Sequence, residues 1–209
     1  MSFYDCATPP NPRRARIFLA EINVSHDVIQ IDLGTREQLG EEFKAINPGC
    51  TVPVLKLRDG TTFTENLGIA AYLESQYPEP PLMGSSAKEK GAILNWNAMI
   101  EFQGLMAVAE ALRNSTPRME GRALTGPENY EQIPQLAERG LKRISHFFDR
   151  LNAQLKGRDF IASDNFSLAD ITAVVVVDFA RIVKMVPSDK HTELLRWRNQ
   201  LSERPSLQL

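Results

Sequence analysis

The stretch Tyr77-Pro78-Glu79-Pro80-Pro81-Leu82-Met83-Gly84-Ser85-Ser86 limits the fold more than any other feature of this chain. Each proline removes a backbone donor and disfavours helical geometry in the residue before it, so no regular helix runs through the segment. The chain therefore divides there. Residues 1–80 form one predicted domain, 81–87 a linker, and 88–209 a second domain.

The two parts differ in periodicity. Before the linker, short strand-like and helix-like stretches alternate: residues 2–5 read as a strand, 12–22 as a helix, and 28–33 as a strand with Val28, Ile29, Ile31 and Leu33 apolar. A helix over 38–46 precedes the turn signal Asn47-Pro48-Gly49, and strands over 54–57 and 61–63 flank Arg58-Asp59-Gly60 as a hairpin. A helix over 66–76 closes the unit. The order βαβ then ββα is that of a thioredoxin-like α/β domain, and other small α/β folds share it. Beyond the linker only helical periods occur, at 88–113, 134–156, 168–185 and 189–203, which predicts an all-α bundle. The β-branched run Val174 to Val177 favours a strand by propensity. However, Ser167 and Asp170 stand at capping-box positions and Phe166 and Ile171 at staple positions, so a buried helix is predicted.

Charge excludes one class of partner. With 24 Lys and Arg against 26 Asp and Glu, nothing draws the chain to nucleic acid. No apolar run approaches the ~20 residues that cross a bilayer, and the start lacks a basic, apolar leader, so a cytoplasmic protein without a membrane partner is expected. Cys6 and Cys50 form no CxxC, and His26, His146 and His191 lack ligand spacing; neither a disulfide framework nor a metal site is expected, and both thiols read as buried and inert.

The informative motif is Asn47-Pro48-Gly49-Cys50-Thr51-Val52-Pro53-Val54-Leu55, where a proline opens a strand and withdraws one donor. Together with Thr64-Glu65-Asn66 at a helix start, it resembles the glutathione-site signature of the cytosolic glutathione S-transferases, bacterial type, nu-like or theta-like in class. The resemblance implies a cis peptide before Pro53 and pairing of the Val52 backbone with the cysteinyl segment of glutathione. It also implies that Glu65 and Asn66 hold the γ-glutamyl end at a helix N-terminus, where free amides and partial positive charge favour a carboxylate. Asn66 replaces the commoner serine or threonine; it can cap the helix and donate through its amide. Gln38 matches a position that contacts the glycyl end in some bacterial members.

The run Cys6-Ala7-Thr8-Pro9-Pro10-Asn11-Pro12-Arg13-Arg14-Ala15-Arg16 resembles the family's first strand, loop and helix. Catalysis there stabilises a thiolate. A free thiol of pKa about 8.5 is only slightly ionised at neutral pH. The column of the usual catalytic serine or cysteine falls on Pro9. Asn11 matches an asparagine placed near the glutathione sulfur in nu-class members, and it also suits a helix N-cap; Thr8 is the rival donor. Arg13, Arg14 and Arg16 read as a solvated helix face or an attractor for an anionic tripeptide. In the helix over 94–113, the stripe Leu94, Ala98, Phe102, Leu105, Ala109 and Leu112 is expected in the core. The adjacent face with Trp96, Met99, Gln103 and Met106 is expected to line a hydrophobic-substrate cleft, or to pack at a dimer interface.

What the resemblance implies is an enzyme with glutathione as cosubstrate and no metal, attacking a small hydrophobic electrophile, and a homodimer. Glutathione-dependent disulfide or peroxide reduction and a non-catalytic interaction protein of the same fold are the alternatives, the second favoured by Pro9.

Overall fold

The structure is a computed structural model that describes residues 1–209. Four strands, β1 (Ser2–Asp5), β2 (Asp27–Gln30), β3 (Val54–Lys56) and β4 (Thr62–Phe63), form one sheet in the order β2-β1-β3-β4. β1 runs parallel to β2 across α1 (Pro10–Glu21) and antiparallel to β3, with Phe3 opposite Leu55. The strand period of two then sorts the core. Phe3 and Leu55 face the layer of α1 and α3 (Asn66–Gln76), while Tyr4 and Val54 face Phe43 of the short α2 (Glu41–Lys44). After α3 every regular element is helical.

Local chemistry moved several predicted boundaries. The helix expected over 38–46 is a 3-10 turn at Glu37–Leu39 and the single turn of α2, because Gly40 between them is extended and does not propagate a helix. β2 stops at Gln30 rather than residue 33. There Asp32 turns the chain by accepting from the Gly34 and Thr35 amides at 2.7 and 3.3 Å.

In the second half, α4 (Ala87–Ile100) continues through a π turn at Glu101–Leu105 into α5 (Met106–Arg113). This overturns the expected core stripe: Leu94, Ala98 and Phe102 are exposed, Ala109 and Leu112 are half-buried, and only Leu105 is buried. The buried face carries Ile93, Asn97, Ile100 and Gly104 instead. That face lies one residue ahead of the expected stripe from Ile93 onward, and Asn97 and Gly104 hide it from a hydrophobicity count. Glycine is required at 104, since a Cβ there would lie 2.7 Å from Phe147 and 2.9 Å from Val176.

α6 (Pro134–Gln154) packs on α5, and α7 (Leu168–Phe179) is buried from Leu168 to Val177. The capping box of α7 is present, although the helix ends in a 3-10 turn at Ala180–Val183 before Lys184 enters the left-handed region at φ 60°. α8 (Thr192–Leu201) completes the bundle. Leu82, within the proline-rich stretch, is buried, and its carbonyl accepts from the Leu168 amide at 2.8 Å. One apolar core consequently runs from Phe3 and Ile17 through Leu82 to Trp197.

Asp170 sits at the centre of that core. Its carboxylate accepts from the Ile161 amide (3.0 Å), Trp197 Nε1 (3.2 Å), and the Ser167 amide and hydroxyl (3.1 and 2.9 Å). Burial outweighs these four bonds and raises its pKa to about 6. Between pH 4 and 6 the native state therefore holds a proton that the unfolded chain releases, and stability from this group falls as pH rises. Relative to Asp170→Asn, which cannot titrate, the wild-type protein should lose about 2 kcal/mol of unfolding free energy between pH 4 and 7. Urea unfolding at both pH values reads this directly; a pH-independent difference contradicts it.

Candidate functional site

The segment before β3 is shaped by Asn47. Its buried side chain donates to the Thr51 carbonyl and hydroxyl at 2.8 and 3.1 Å and accepts from the Gly49 amide at 2.9 Å, which pins the turn at both ends. Cys50 follows at φ 52°, buried, and the Val52–Pro53 peptide is cis. The Val52 side chain points into the Tyr4, Phe43 and Val54 cluster. Its N–H and C=O make no hydrogen bond to the rest of the chain, which leaves one peptide edge ready to pair with an extended ligand.

At the start of α3, Glu65 is extended, exposed and without a side-chain partner. Asn66 is the first helical residue and does not cap, contrary to one use expected of it. Its Oδ1 is buried and unpartnered. Three buried side-chain oxygens in the chain lack a partner, and two belong to Asn66 and Gln38 (the third is on Glu74). Buried polar atoms are ordinarily satisfied, so a pair of orphans at residues singled out for one ligand points to a missing polar partner.

α1 begins two residues earlier than predicted, at Pro10, with Pro9 in the cap position. Pro9 offers no side-chain acceptor, and because Pro9, Pro10 and Pro12 carry no N–H, the backbone amide of Asn11 is the one orphan donor of this helix start. Asn11 lies inside the first turn and is not the N-cap. Its Oδ1 accepts from Arg14 Nη1 at 3.1 Å. A guanidinium only donates, so the oxygen must face Arg14, and the Asn11 NH2 group turns away with both protons free. Thr8, exposed and on the other flank of the helix start, lies beside Arg13 and α7.

None of the three arginines is a solvated face. Arg13 binds Asp178 at 2.8 Å and the Leu207 carbonyl at 2.9 Å; Arg16 binds Asp5 at 2.6 Å and the Cys6 carbonyl at 3.0 Å. Cys6 itself is half-buried, more open than expected, and Cys50 is buried. Arg14 is buried and donates to Thr172 Oγ1 (3.2 Å), Asn97 Oδ1 (3.4 Å) and Glu101. Desolvation pulls its pKa down, while Glu101 and, from farther off, Glu65 oppose that. Sequence reasoning missed Asn97, Glu101 and Thr172, which are polar on apolar-reading helices. The available signal was Arg14 itself, four residues before Phe18 and hence on the buried face of α1.

The proposed hydrophobic-substrate residues do not gather here. Trp96 and Gln103 turn toward α6, where the Arg150 guanidinium lies 5.9 Å from the indole centroid and donates to Gln103 Oε1 at 3.1 Å. Met99 is half-buried and Met106 exposed. Asn97 and Glu101, on the neighbouring face of the same helix, are the residues that reach α1.

The geometry thus offers an unpaired peptide edge at a cis proline, an exposed carboxylate at one helix start, and a free amide at another. Residues 9–76 match the family described as "Glutathione S-transferase, N-terminal domain", and residues 106–205 match "Glutathione S-transferase, C-terminal domain". Glutathione S-transferase 2 of Saccharomyces cerevisiae is 35% identical over 99% of this chain and 88% of its own length. A solved structure of Gtt2 from the same yeast superposes with a TM-score of 0.90 at 34% identity, covering 100% of this chain and 99% of that one. A glutathione S-transferase domain-containing protein of Marinobacter aquaeolei VT8 gives 0.90 at 32%, over 99% and 100%. Fold, motif placement and near-full-length likeness agree, and the chain belongs to the glutathione S-transferase family of enzymes.

Proposed function

We propose that this chain binds glutathione along the Val52 edge and holds its sulfur as a thiolate for attack on a small, uncharged electrophile. The observation that carries the reading is the unpaired Val52 backbone, accompanied by the orphaned oxygens of Asn66 and Gln38. In this reading the Val52 N–H and C=O pair with the cysteinyl residue as an added strand. The amides at the start of α3 receive the γ-glutamyl carboxylate, and the Glu65 carboxylate accepts from the neighbouring ammonium. Asn66 Oδ1 accepts from the same end and Gln38 from the glycyl amide.

The sulfur then lies at the start of α1, where Pro9 supplies no hydroxyl or thiol. The free NH2 of Asn11 takes that role, aided by its own uncapped backbone amide. A hydrogen bond to a charged acceptor contributes about 1.5–3 kcal/mol, or roughly one to two pKa units off the thiol. That shift makes the thiolate a major species at neutral pH. Stabilised thiolate attacks electron-poor carbon, and no protein nucleophile is consumed.

Isothermal titration calorimetry tests the binding half of the proposal. Glu65→Ala should weaken glutathione affinity about tenfold or more while preserving the thermal melt, through loss of one charge-assisted hydrogen bond. Unchanged affinity in the folded variant removes Glu65 from the site.

We further propose that two copies pair through the exposed apolar side of α4 and α5. Leu94, Phe102 and Met106 form an apolar surface there that is atypical of a solvated helix. Sedimentation velocity at micromolar concentration should return the mass of a dimer; a monomer across that range excludes it.

A further inference from the structure

We infer that Arg113 and Arg122 form a binding site for a single oxyanion in the loop between α5 and α6, beside the turn that carries the Val52 edge. The segment 114–133 is long for a helix–helix connection, for which roughly 2–8 residues suffice. Its own contacts nevertheless close it. Gln132 donates to the Arg113 and Thr116 carbonyls at 2.6 and 2.9 Å, and Asn114 accepts from the Ile133 amide at 2.9 Å, so the two ends are tied together. Nearer the tip, the Ala123 amide donates to the Tyr130 carbonyl at 3.1 Å and the Tyr130 amide to the Gly121 carbonyl at 3.0 Å. Gly126, buried at the tip, packs on the N-terminal half of the chain: a Cβ there would lie 3.7 Å from the Gly49 carbonyl, in the Asn47-Pro48-Gly49 turn that leads to Val52. The site stands on these contacts and does not need the glutathione reading.

Two half-buried guanidiniums sit in this loop without a carboxylate. Arg113 Nη1 donates to the Arg122 and Leu124 carbonyls at 2.7 and 3.4 Å. Arg122 donates through Nη2 to the Gly126 carbonyl at 2.7 Å, and through Nη1 to Asn129 Oδ1 at 3.3 Å and the Glu128 carbonyl at 3.5 Å. Neither joins an ion pair, whereas Arg13, Arg14, Arg16 and Arg143 each meet an acid. Desolvation pulls the Arg113 pKa down and the charge of Arg122 pulls it further, with no acid opposing either. A partly desolvated pair of like charges is unfavourable until an anion joins it. The donors left over select that anion. Every bond of Arg113 leaves from Nη1, so its Nε–H and the Nη2 proton beside it are unused, and they share one edge of the planar group. Arg122 keeps its Nε–H and one Nη2 proton. A carboxylate or a tetrahedral oxyanion matches such an edge with two parallel hydrogen bonds, and a neutral or cationic ligand does not. Two sources supply this chemistry: a free oxyanion such as inorganic phosphate, and the glycyl carboxylate of a glutathione lying along Val52.

Calorimetry with inorganic phosphate as the probe, at constant ionic strength, tests the site without any thiol. The wild-type protein should bind one phosphate per chain. Arg113→Lys keeps the charge but loses the forked edge, and Arg122→Gln removes the second cation; each should weaken phosphate binding about tenfold. If the lysine variant fails to fold, Arg122→Gln alone reads the site. Glutathione and its glycyl ethyl ester, each titrated with and without saturating phosphate, then distinguish the sources. Phosphate that weakens binding of glutathione but not of the ester upholds the site and assigns it to the glycyl carboxylate. Phosphate that weakens neither upholds it as a site for a free oxyanion. No phosphate binding by the wild type, or wild-type affinity in every folded variant, overturns the inference and leaves the Val52 reading untouched.

Discussion

The buried guanidinium of Arg14 is the constraint on which the rest depends. Placing a cation inside a protein is costly unless its donors are satisfied, and here satisfaction comes from three separate elements: Asn11 on α1 itself, Asn97 and Glu101 at the end of α4, and Thr172 on α7. Thr172 in turn donates to Asn97 Oδ1 at 2.7 Å, which closes the network. α1 can therefore occupy one position against the helical bundle. The same bond to Arg14 sets the Asn11 amide, so a packing interaction between the two halves of the chain determines which group faces the proposed sulfur. A second clamp lies at the other end of α1, where Glu21 holds Arg204 at 2.6 Å and also binds Ser206. The C-terminal turn is thereby fastened to the same helix.

Legibility in the sequence followed the distinction between backbone-directing residues and side chains that meet across elements. Pro53, the Asn47-Pro48-Gly49 turn and the Ser167 and Asp170 box each impose local geometry, and each is realised where the sequence places it. Local rules failed where phase or partner is set at a distance. The buried face of α4 and α5 lies one residue ahead of the Leu94 stripe, because Asn97 is drawn to Arg14 and Gly104 to Phe147, and such polar and small residues do not show in a hydrophobic pattern. Asn11 was legible as a residue of interest and illegible in its role. Its identity as cap or donor depended on whether the helix began at Pro10 or Pro12, a two-residue question that propensity does not resolve. Arg14 was read among surface charges because its partners lie 83, 87 and 158 residues away.

The proposed site also shows why the loss of a serine or cysteine at Pro9 need not abolish function. Recognition by the Val52 peptide edge and by a helix N-terminus uses backbone groups that side-chain replacement does not remove. The loop presenting that edge is held by Asn47, and its opposite face is buried against Tyr4 and Phe43, so the edge is preorganised before any ligand arrives. In the proposed reading, thiolate stabilisation falls to fixed dipoles, the α1 N-terminus and the Asn11 amide, that need little reorganisation as charge develops.

The account stands on that last step. Thiolate absorbs in the ultraviolet where the thiol does not, so a pH titration of glutathione bound to the wild-type protein measures the sulfur's pKa in the site. Stabilisation by Asn11 and the first turn of α1 predicts a midpoint at least about one unit below the free-thiol value of about 8.5, with saturable binding across the titration. A midpoint at the free-thiol value in a saturated complex would show that the start of α1 does not meet the sulfur, and would contradict the account.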